Sequence, residues 1–335
     1  MARNDFDTYS ELYDKYFLFL DEQMSLVHRK PDRYSAATLE EFMSLIQDIR
    51  TNRNETKAGS VADTSERSLR SMDIAVQIWL TIHVQHSHSD HSGNISSTQF
   101  SWARDRRLDT SLEDLFAQRQ DTKETRSRQI PSSFSIPNLV HHYDFKVAWT
   151  SDLLQHLRID WKSKQITIFE HGICLRDHLE YDEISHPCPL PKAVIEEAVD
   201  TIRLLFPNSK ETKRFLSREG RSFLKVPYGR GRRLSLGDYT YWRQSVVDLI
   251  NHWEDGPKGW AQIRLNPDQG NLMEYATFWA ATTVLILTTV SIMFGIASLV
   301  IAKQALDISI KSYNLALAEA CAEANATDTL PGFCT

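Results

Sequence analysis

Cysteine is scarce in this chain: Cys174, Cys188, Cys321 and Cys334 lie far apart, and no two of them form a CxxC pair. That speaks against a disulfide framework through the body of the protein and against a zinc knuckle. The sequence also contains no GxxxxGK[ST], GxGxxG, GxSxG or HExxH, nor a kinase motif set. The usual phosphate cradles, the nucleophile elbow and the zincin helix are therefore missing. No apolar core precedes position 16, and Asp5, Asp7, Glu11 and Asp14 crowd the first turns. A cleavable secretory signal is not expected, and the region before residue 275 is expected to stay in the cytosol.

The longest absence is of charge. From Tyr275 to Ala302, 28 residues run without a single Asp, Glu, Lys, Arg, His, Asn, Gln or Pro. As a helix this stretch covers ~42 Å at ~1.5 Å per residue, against a hydrocarbon thickness of ~30 Å. A soluble helix of that length would show a polar face; this one reads as a membrane span. Tyr275, Phe278 and Trp279 stand at its entry and Lys303 closes its far end, as aromatic rings and snorkelling amines do at headgroup level. With no ionisable group in the span, a solute carrier is disfavoured. A magnesium channel of the CorA type needs two spans joined by Gly-Met-Asn, and neither feature is present.

What remains is an ordinary globular composition. The fold expected is mainly α with a small β-sheet, an α+β soluble region, followed by a single transmembrane α-helix. Residues 1–85 read as an N-terminal helical layer, 86–97 as a polar loop, 98–262 as the α+β region, 263–274 as a juxtamembrane spacer, 275–302 as the span and 303–335 as a helical tail with a flexible end.

Periodicity predicts helices over 7–29, with Tyr13, Tyr16, Phe17 and Leu20 on the apolar face, over 36–50, with Thr38 and Glu41 as a capping box, and over 66–84. The segment 51–65 between them reads as an exposed linker. Further on, 98–104 reads as a strand, 111–119 as a helix capped by Asp109 or Thr110, 144–150 as a strand and 151–157 as a short helix. Two strands, 157–161 and 165–171, form a pair around Lys162, Ser163 and Lys164. Helices follow over 173–179, 193–206 and briefly from Glu211, then over 238–255 with Asp238 as its cap.

At several points these residues carry a resemblance. AVQIWLTIHV (75–84), FSWARDRRLDTSLEDLF (100–116), VAWTSDLLQHLRID (147–160), ITIFEHGICLRDHL (166–179), LLFP (204–207), DYTYWRQSVVDLI (238–250) and the span with its extension (275–306) resemble an uncharacterised fungal, ascomycete family. Its members have a large soluble region and one hydrophobic helix close to the C-terminus. The resemblance implies an architecture and no activity, so no catalytic residue comes with it. AQIRLNPDQGNLMEY (261–275) departs from it, lacking a Trp-Trp and Arg-rich approach to the span.

Residues weighed for chemistry are few. His83, His86, His88, Asp90 and His91 could gather around a metal, but their spacing matches no standard site, and no metal or cofactor is assigned. His171 with Cys174, Asp177 or His178 could be drawn as a dyad, which twelve scattered histidines make easy. Although the net charge is −6, residues 203–233 hold ten cations against two carboxylates. Arg214, Arg218, Arg221, Lys225, Arg230, Arg232 and Arg233 are the candidate basic patch, for anionic lipid headgroups or a protein partner, with no nucleic acid expected. Ser235 follows Arg232-Arg233-Leu234 and fits a basophilic kinase site.

Within the span, Ala281, Thr288, Ser291, Gly295, Ser298 and Ala302 recur at steps of three, four and seven, a seam of small side chains suited to a second helix. Beyond the span, Asn325-Ala326-Thr327 is a glycosylation acceptor, and Cys321 with Cys334 could pair if that tail meets an oxidising space. The reading expected is a membrane-anchored cytosolic adaptor or scaffold that self-associates through its span. A membrane-tethered enzyme is the runner-up, and a subunit of an oligomeric channel the third.

Overall fold

The computed structural model describes residues 2–61, 63–85, 100–119, 128–181, 188–221, 231–256 and 272–322. Met1–Gln262 form one unit and Ile263–Thr335 another. The fold class is the one the sequence predicts: mainly helical, with a small sheet, then one long apolar helix.

Helix α1 (Ala2–Arg29) ends before Pro31, whose ring cannot continue it. Among its described side chains, from Tyr13 onward, Phe19, Gln23 and Val27 are buried. Phe17, expected inside, is exposed, while Tyr16 and Leu20 of the same predicted face are half-buried, Leu20 against the core and Tyr16 with its hydroxyl donating to the Ile78 carbonyl. Helix α2 (Leu39–Thr51) carries the predicted capping box, with Thr38 Oγ1 accepting from the Glu41 N–H and Glu41 accepting from the Thr38 N–H. It buries Phe42, Ile46 and Ile49, while Leu39 and Met43 stay exposed.

The central element is α3 (Glu66–Leu80), packed against α2 and α1. It stops four residues short of the expected end, at Thr81, which takes a left-handed conformation (φ 51°) unusual for a β-branched residue. From there the chain extends, and Val84 bridges Phe100 in parallel. That isolated bridge replaces the strand expected over 98–104; Thr98 and Gln99 lie outside the described residues.

The segment 51–65 is not a free linker. Lys57 and Ala58 donate their N–H groups to the carbonyls of Arg106 and Arg104, at 3.1 and 3.0 Å. The Lys57 ammonium pairs with Asp73 of α3, both side chains being buried, and lies over the Trp102 ring.

Helix α4 (Leu108–Ala117) starts three residues earlier than expected, with Asp109 inside its first turn, bound by Arg107 rather than standing as the cap. Helix α5 (Ile136–Tyr143) is an addition that periodicity did not reveal, though Ser135 as N-cap and Pro137 in the first turn are its local signals.

The sheet is three-stranded, order β1-β3-β2. Strand β3 (Gln165–Phe169) sits centrally, parallel to β1 (Lys146–Thr150) and antiparallel to the two-residue β2 (Ile159–Asp160). The β2–β3 turn is built by Asp160, whose carboxylate accepts from the Lys162 N–H at 3.0 Å and the Ser163 hydroxyl at 2.7 Å, while Lys164 supplies the left-handed residue. The expected helix over 151–157 is a single 3-10 turn, Leu153–Gln155, capped by Asp152.

Helices α6 (Gly172–Tyr181) and α7 (Lys192–Leu205) pack on each other. Val194, Ile195, Ala198, Ile202 and Leu205 of α7 are all buried, along one face of the helix. Helix α8 (Lys210–Arg218) is capped by Ser209. Helix α9 (Arg243–Glu254) begins five residues later than expected, and Asp238 belongs to a separate 3-10 turn. Last comes α10 (Leu272–Cys321), 50 residues in one helix.

Candidate functional site

Helix α10 is the feature that most constrains function. Of the described residues, it is the one helix long and apolar enough to cross a membrane, and none of its most apolar stretch is buried against protein. Its backbone hydrogen bonds are internal, as hydrocarbon requires. The hydroxyls are handled in two ways. Thr277, Thr282, Thr283, Thr288 and Thr289 each donate to the carbonyl four residues earlier, at 2.5 to 2.9 Å. Among the described residues, Ser291 and Ser298 make no such bond. They stand seven apart on the small-residue seam, together with Gly295, whose Cα faces open space.

The helix continues past Lys303 to Cys321, so the tail begins as an extension of the same rod. The seam runs on through Ala305, Ser309, Ser312 and Ala316. Cys321 is disulfide-bonded. Asn325 and Cys334 lie outside the described residues.

The basic segment behaves differently from a solvated face. Arg214 and Arg218 on α8 are exposed, as are Lys210 and Lys213 beside them. Arg221, however, forms an ion pair with Glu170 and lies over the Trp149 ring at 5.0 Å. Arg232 donates to the carbonyls of Leu204, Ser132 and Phe134, tying the loop to the end of α7. Arg233 pairs at 3.0 Å with Asp200, a buried carboxylate that also meets Arg203 at 3.7 Å. Three of the five described patch members therefore serve the fold, because exposed ends of α7 and a buried Asp need donors more than solvent does. Lys225 and Arg230 lie outside the described residues. Ser235 is half-buried, and its Oγ accepts from the Gly237 N–H at 3.3 Å, a turn contact that a phosphate would displace.

The candidate dyad does not form. Cys174 meets His171 only through the backbone, its N–H donating to the His171 carbonyl at 3.0 Å. Burial pushes the Cys174 thiol well above its ordinary range, opposite to what a nucleophile needs. His171 is enclosed by Tyr16, Phe19 and Phe169 at 5.8, 5.5 and 5.6 Å between ring centroids, and burial takes its imidazole down to about 4. Asp177 is engaged by the Tyr13 hydroxyl and by Arg176 at 2.9 Å. Of the metal candidates, His83 is described and exposed; His86, His88, Asp90 and His91 lie outside the described residues.

No protein-family model, curated protein or solved structure matches the chain.

Two surfaces escaped the sequence reading. One is exposed apolar area on the first two helices: Phe17, Leu18 and Leu26 on α1, and Leu39 and Met43 on α2. The other is an open cleft where the end of α2 meets α3, lined by Ile49, Arg50, Arg53, Trp79, Trp102 and Leu108. Trp79 is partly buried. Only the fold places it against Arg50, twenty-nine positions away.

Proposed function

We propose that this protein is a membrane-anchored interaction protein of the adaptor or scaffold type, whose α+β region lies in the cytosol and whose anchor associates with a second copy of itself. The observation that carries the reading is α10: an uncharged 28-residue stretch, Tyr275–Ala302, inside an unbroken 50-residue helix. In lipid, apolar bulk gives no preference for one helix over another, so small residues that admit a close backbone and hydroxyls that can bond across the interface decide association. Ala281, Thr288, Ser291, Gly295, Ser298 and Ala302 supply the first, and Ser291 with Ser298, having no intrahelical acceptor, supply the second.

The tail then faces the lumenal or outer side, which suits a disulfide at Cys321 and a glycan at Asn325. The four exposed cations of α8 give the soluble region a means of meeting anionic headgroups, each worth ~1 kcal/mol close to such a surface. The exposed Phe17 and Leu18 are apolar area of the kind a protein partner covers.

A membrane reporter assay tests the self-association. Replacing Ser291 and Gly295 together by Leu should abolish the dimer signal while leaving insertion intact, and an unchanged signal refutes it. Liposome flotation of the soluble region tests the α8 cations: equal binding to neutral and anionic vesicles at low salt removes the lipid part.

A further inference from the structure

Past Ala302, α10 runs on through residues 303–321, ~28 Å of rod beyond its uncharged stretch. With 275–302 in hydrocarbon, this part lies in water, where apolar surface is unfavourable unless something covers it. Leu306, Ile310 and Tyr313 are nonetheless exposed, and Leu317 and Ala320 are half-buried. They follow one another at steps of four, three, four and three, the spacing of the two core positions of a coiled coil. Most of the stability of such a helix in water comes from what packs on its apolar face.

The row lies beside the small-residue seam: Leu306, Ile310, Tyr313 and Leu317 each stand one residue after Ala305, Ser309, Ser312 and Ala316. From Ala302 to Leu306 to Ile310 the steps are four and four, a stutter that locally unwinds a left-handed pair and shifts its contact from the small seam to the large row. The change in side-chain size matches the change in solvent. In hydrocarbon, pairing depends on close backbone approach, whereas in water it gains from buried Leu, Ile and Tyr.

We infer that residues 303–321 form a parallel two-stranded coiled coil with the same segment of a second copy, its core being Leu306, Ile310, Tyr313 and Leu317. This deepens the self-association proposed above and rests on the same reading of α10 as a membrane anchor. A second copy is the occupant because two chains inserted the same way bring this row to the same height, side by side and in register along its whole length. The positions flanking the row suit that pairing. Ala302, Ser309 and Ala316 stand on one side, Asp307 and Asn314 on the other, and in a parallel pair the two sets meet across the seam, so no like charges are opposed. Ile310 takes the core position where a β-branched residue favours two strands, and Leu306 the alternate one. Ile308 and Leu315, exposed and seven apart, lie on the opposite side and outside the contact.

Energy transfer between labelled full-length copies in liposomes reads the association. Ile310→Ser with Leu317→Ser should weaken it by ~tenfold or more, while Ile308→Ser with Leu315→Ser, the same residue types at the same spacing on the opposite side, should leave it within about twofold. Both variants place the same substitutions in the same helix, so equal losses, or no loss from the first, would overturn the coiled coil. Ile310→Cys should cross-link two copies under mild oxidation above the level of the parent chain, and Ile308→Cys should not, which keeps the test open if the serine variants fail to fold. Cross-linking at neither position, or equally at both, would also overturn it. Ser291→Leu with Gly295→Leu separates this contact from the seam in the span: loss in that variant alone removes the coiled coil and keeps the seam, and loss in the Ile310→Ser with Leu317→Ser variant alone does the reverse.

Discussion

His156 and Thr201 are joined by a hydrogen bond of 2.8 Å that fixes the state of a fully enclosed imidazole. On the other side of the ring, Nδ1 accepts the backbone N–H of Phe169 at 3.2 Å, so it cannot itself carry a proton. The proton is therefore on Nε2, donated to Thr201 Oγ1, which in turn donates to the Ala198 carbonyl at 2.7 Å. The His156 carbonyl accepts from the Trp242 indole at 3.0 Å. One neutral histidine thus links β3, α7 and the start of α9, and it has no donor site left for a second proton.

Acid stability follows from that arrangement. Burial takes His156 down to about 3 and His171 down to about 4, both below the ~6.5 of an unfolded chain. Their contribution is complete above ~pH 6.5 and is lost as pH falls through the gap, until the folded forms also protonate. At ~pH 5 each imidazole should have withdrawn ~2 kcal/mol. Unfolding of parent and His156→Gln compared at the two ends of this range should show the variant losing about half of the histidine-linked slope. Identical slopes would mean that His156 is not held neutral.

Glu197 makes a second prediction on the same helix. Its carboxylate accepts three backbone N–H groups, from Thr240 and Tyr241 at 2.7 Å and from Trp242 at 2.8 Å, at the entry to α9, where no local side chain caps the helix. Burial raises its pKa while those three donors work in the opposite direction. Glu197→Ala leaves all three donors buried and unmet and should cost about 3 kcal/mol or more, whereas Glu197→Gln, with one acceptor oxygen, should fall between. Chemical denaturation at neutral pH gives the order, and a loss under 1 kcal/mol in Glu197→Ala would show that α9 is capped in another way.

These two residues also show where sequence reading stops. The apolar stripe of α7 was legible from its 3.6-residue period, and so was the Thr38–Glu41 box, because both are local patterns. Glu197, Asp200 and Thr201 sit between the same stripe residues and read as the polar side, yet all three are buried, since these partners come from 33 to 45 residues away. Asp238 looked like the cap of α9 for the same reason: a local signal was available and the distant carboxylate was not. The basic segment was misread as one surface because charge counting cannot tell an arginine that caps carbonyls, such as Arg232, from one facing solvent, such as Arg214. The span needed no partner to be recognised, and it came through whole.

The docked segment around Lys57 offers a test of how the helical layer is held. Lys57 and Asp73 are both buried, and the Lys57 ammonium also donates to the Trp102 carbonyl at 3.3 Å. Burial lowers the lysine pKa while Asp73 opposes the shift. Removing one partner strands the other charge, so Lys57→Met should destabilise by ~3–5 kcal/mol. Lys57→Met with Asp73→Leu should recover most of that loss. A double variant no more stable than the single one would show that the contact with Trp102, and not the ion pair, anchors the segment.

In the anchor, the difference between threonine and serine hydroxyls leads to a residue-level expectation. Thr288 lies on the seam but already donates to the Val284 carbonyl at 2.5 Å, so a neighbouring helix has little to gain from its hydroxyl. Ser291 and Ser298 donate to no carbonyl among the described residues, and in hydrocarbon such a group gains from any acceptor a second helix brings. Interhelical polar contacts in membranes average ~0.6 kcal/mol, a factor of about three each in the association constant. On the proposed self-association, Ser291→Ala with Ser298→Ala should weaken association by nearly tenfold without opening the seam, since Ala is no larger than Ser. Thr288→Val, of equal volume, should leave it within about twofold. Quantitative energy transfer between labelled full-length copies in liposomes would measure both, and equal losses from the two variants would mean that the threonine hydroxyl turns outward in the assembled helix pair.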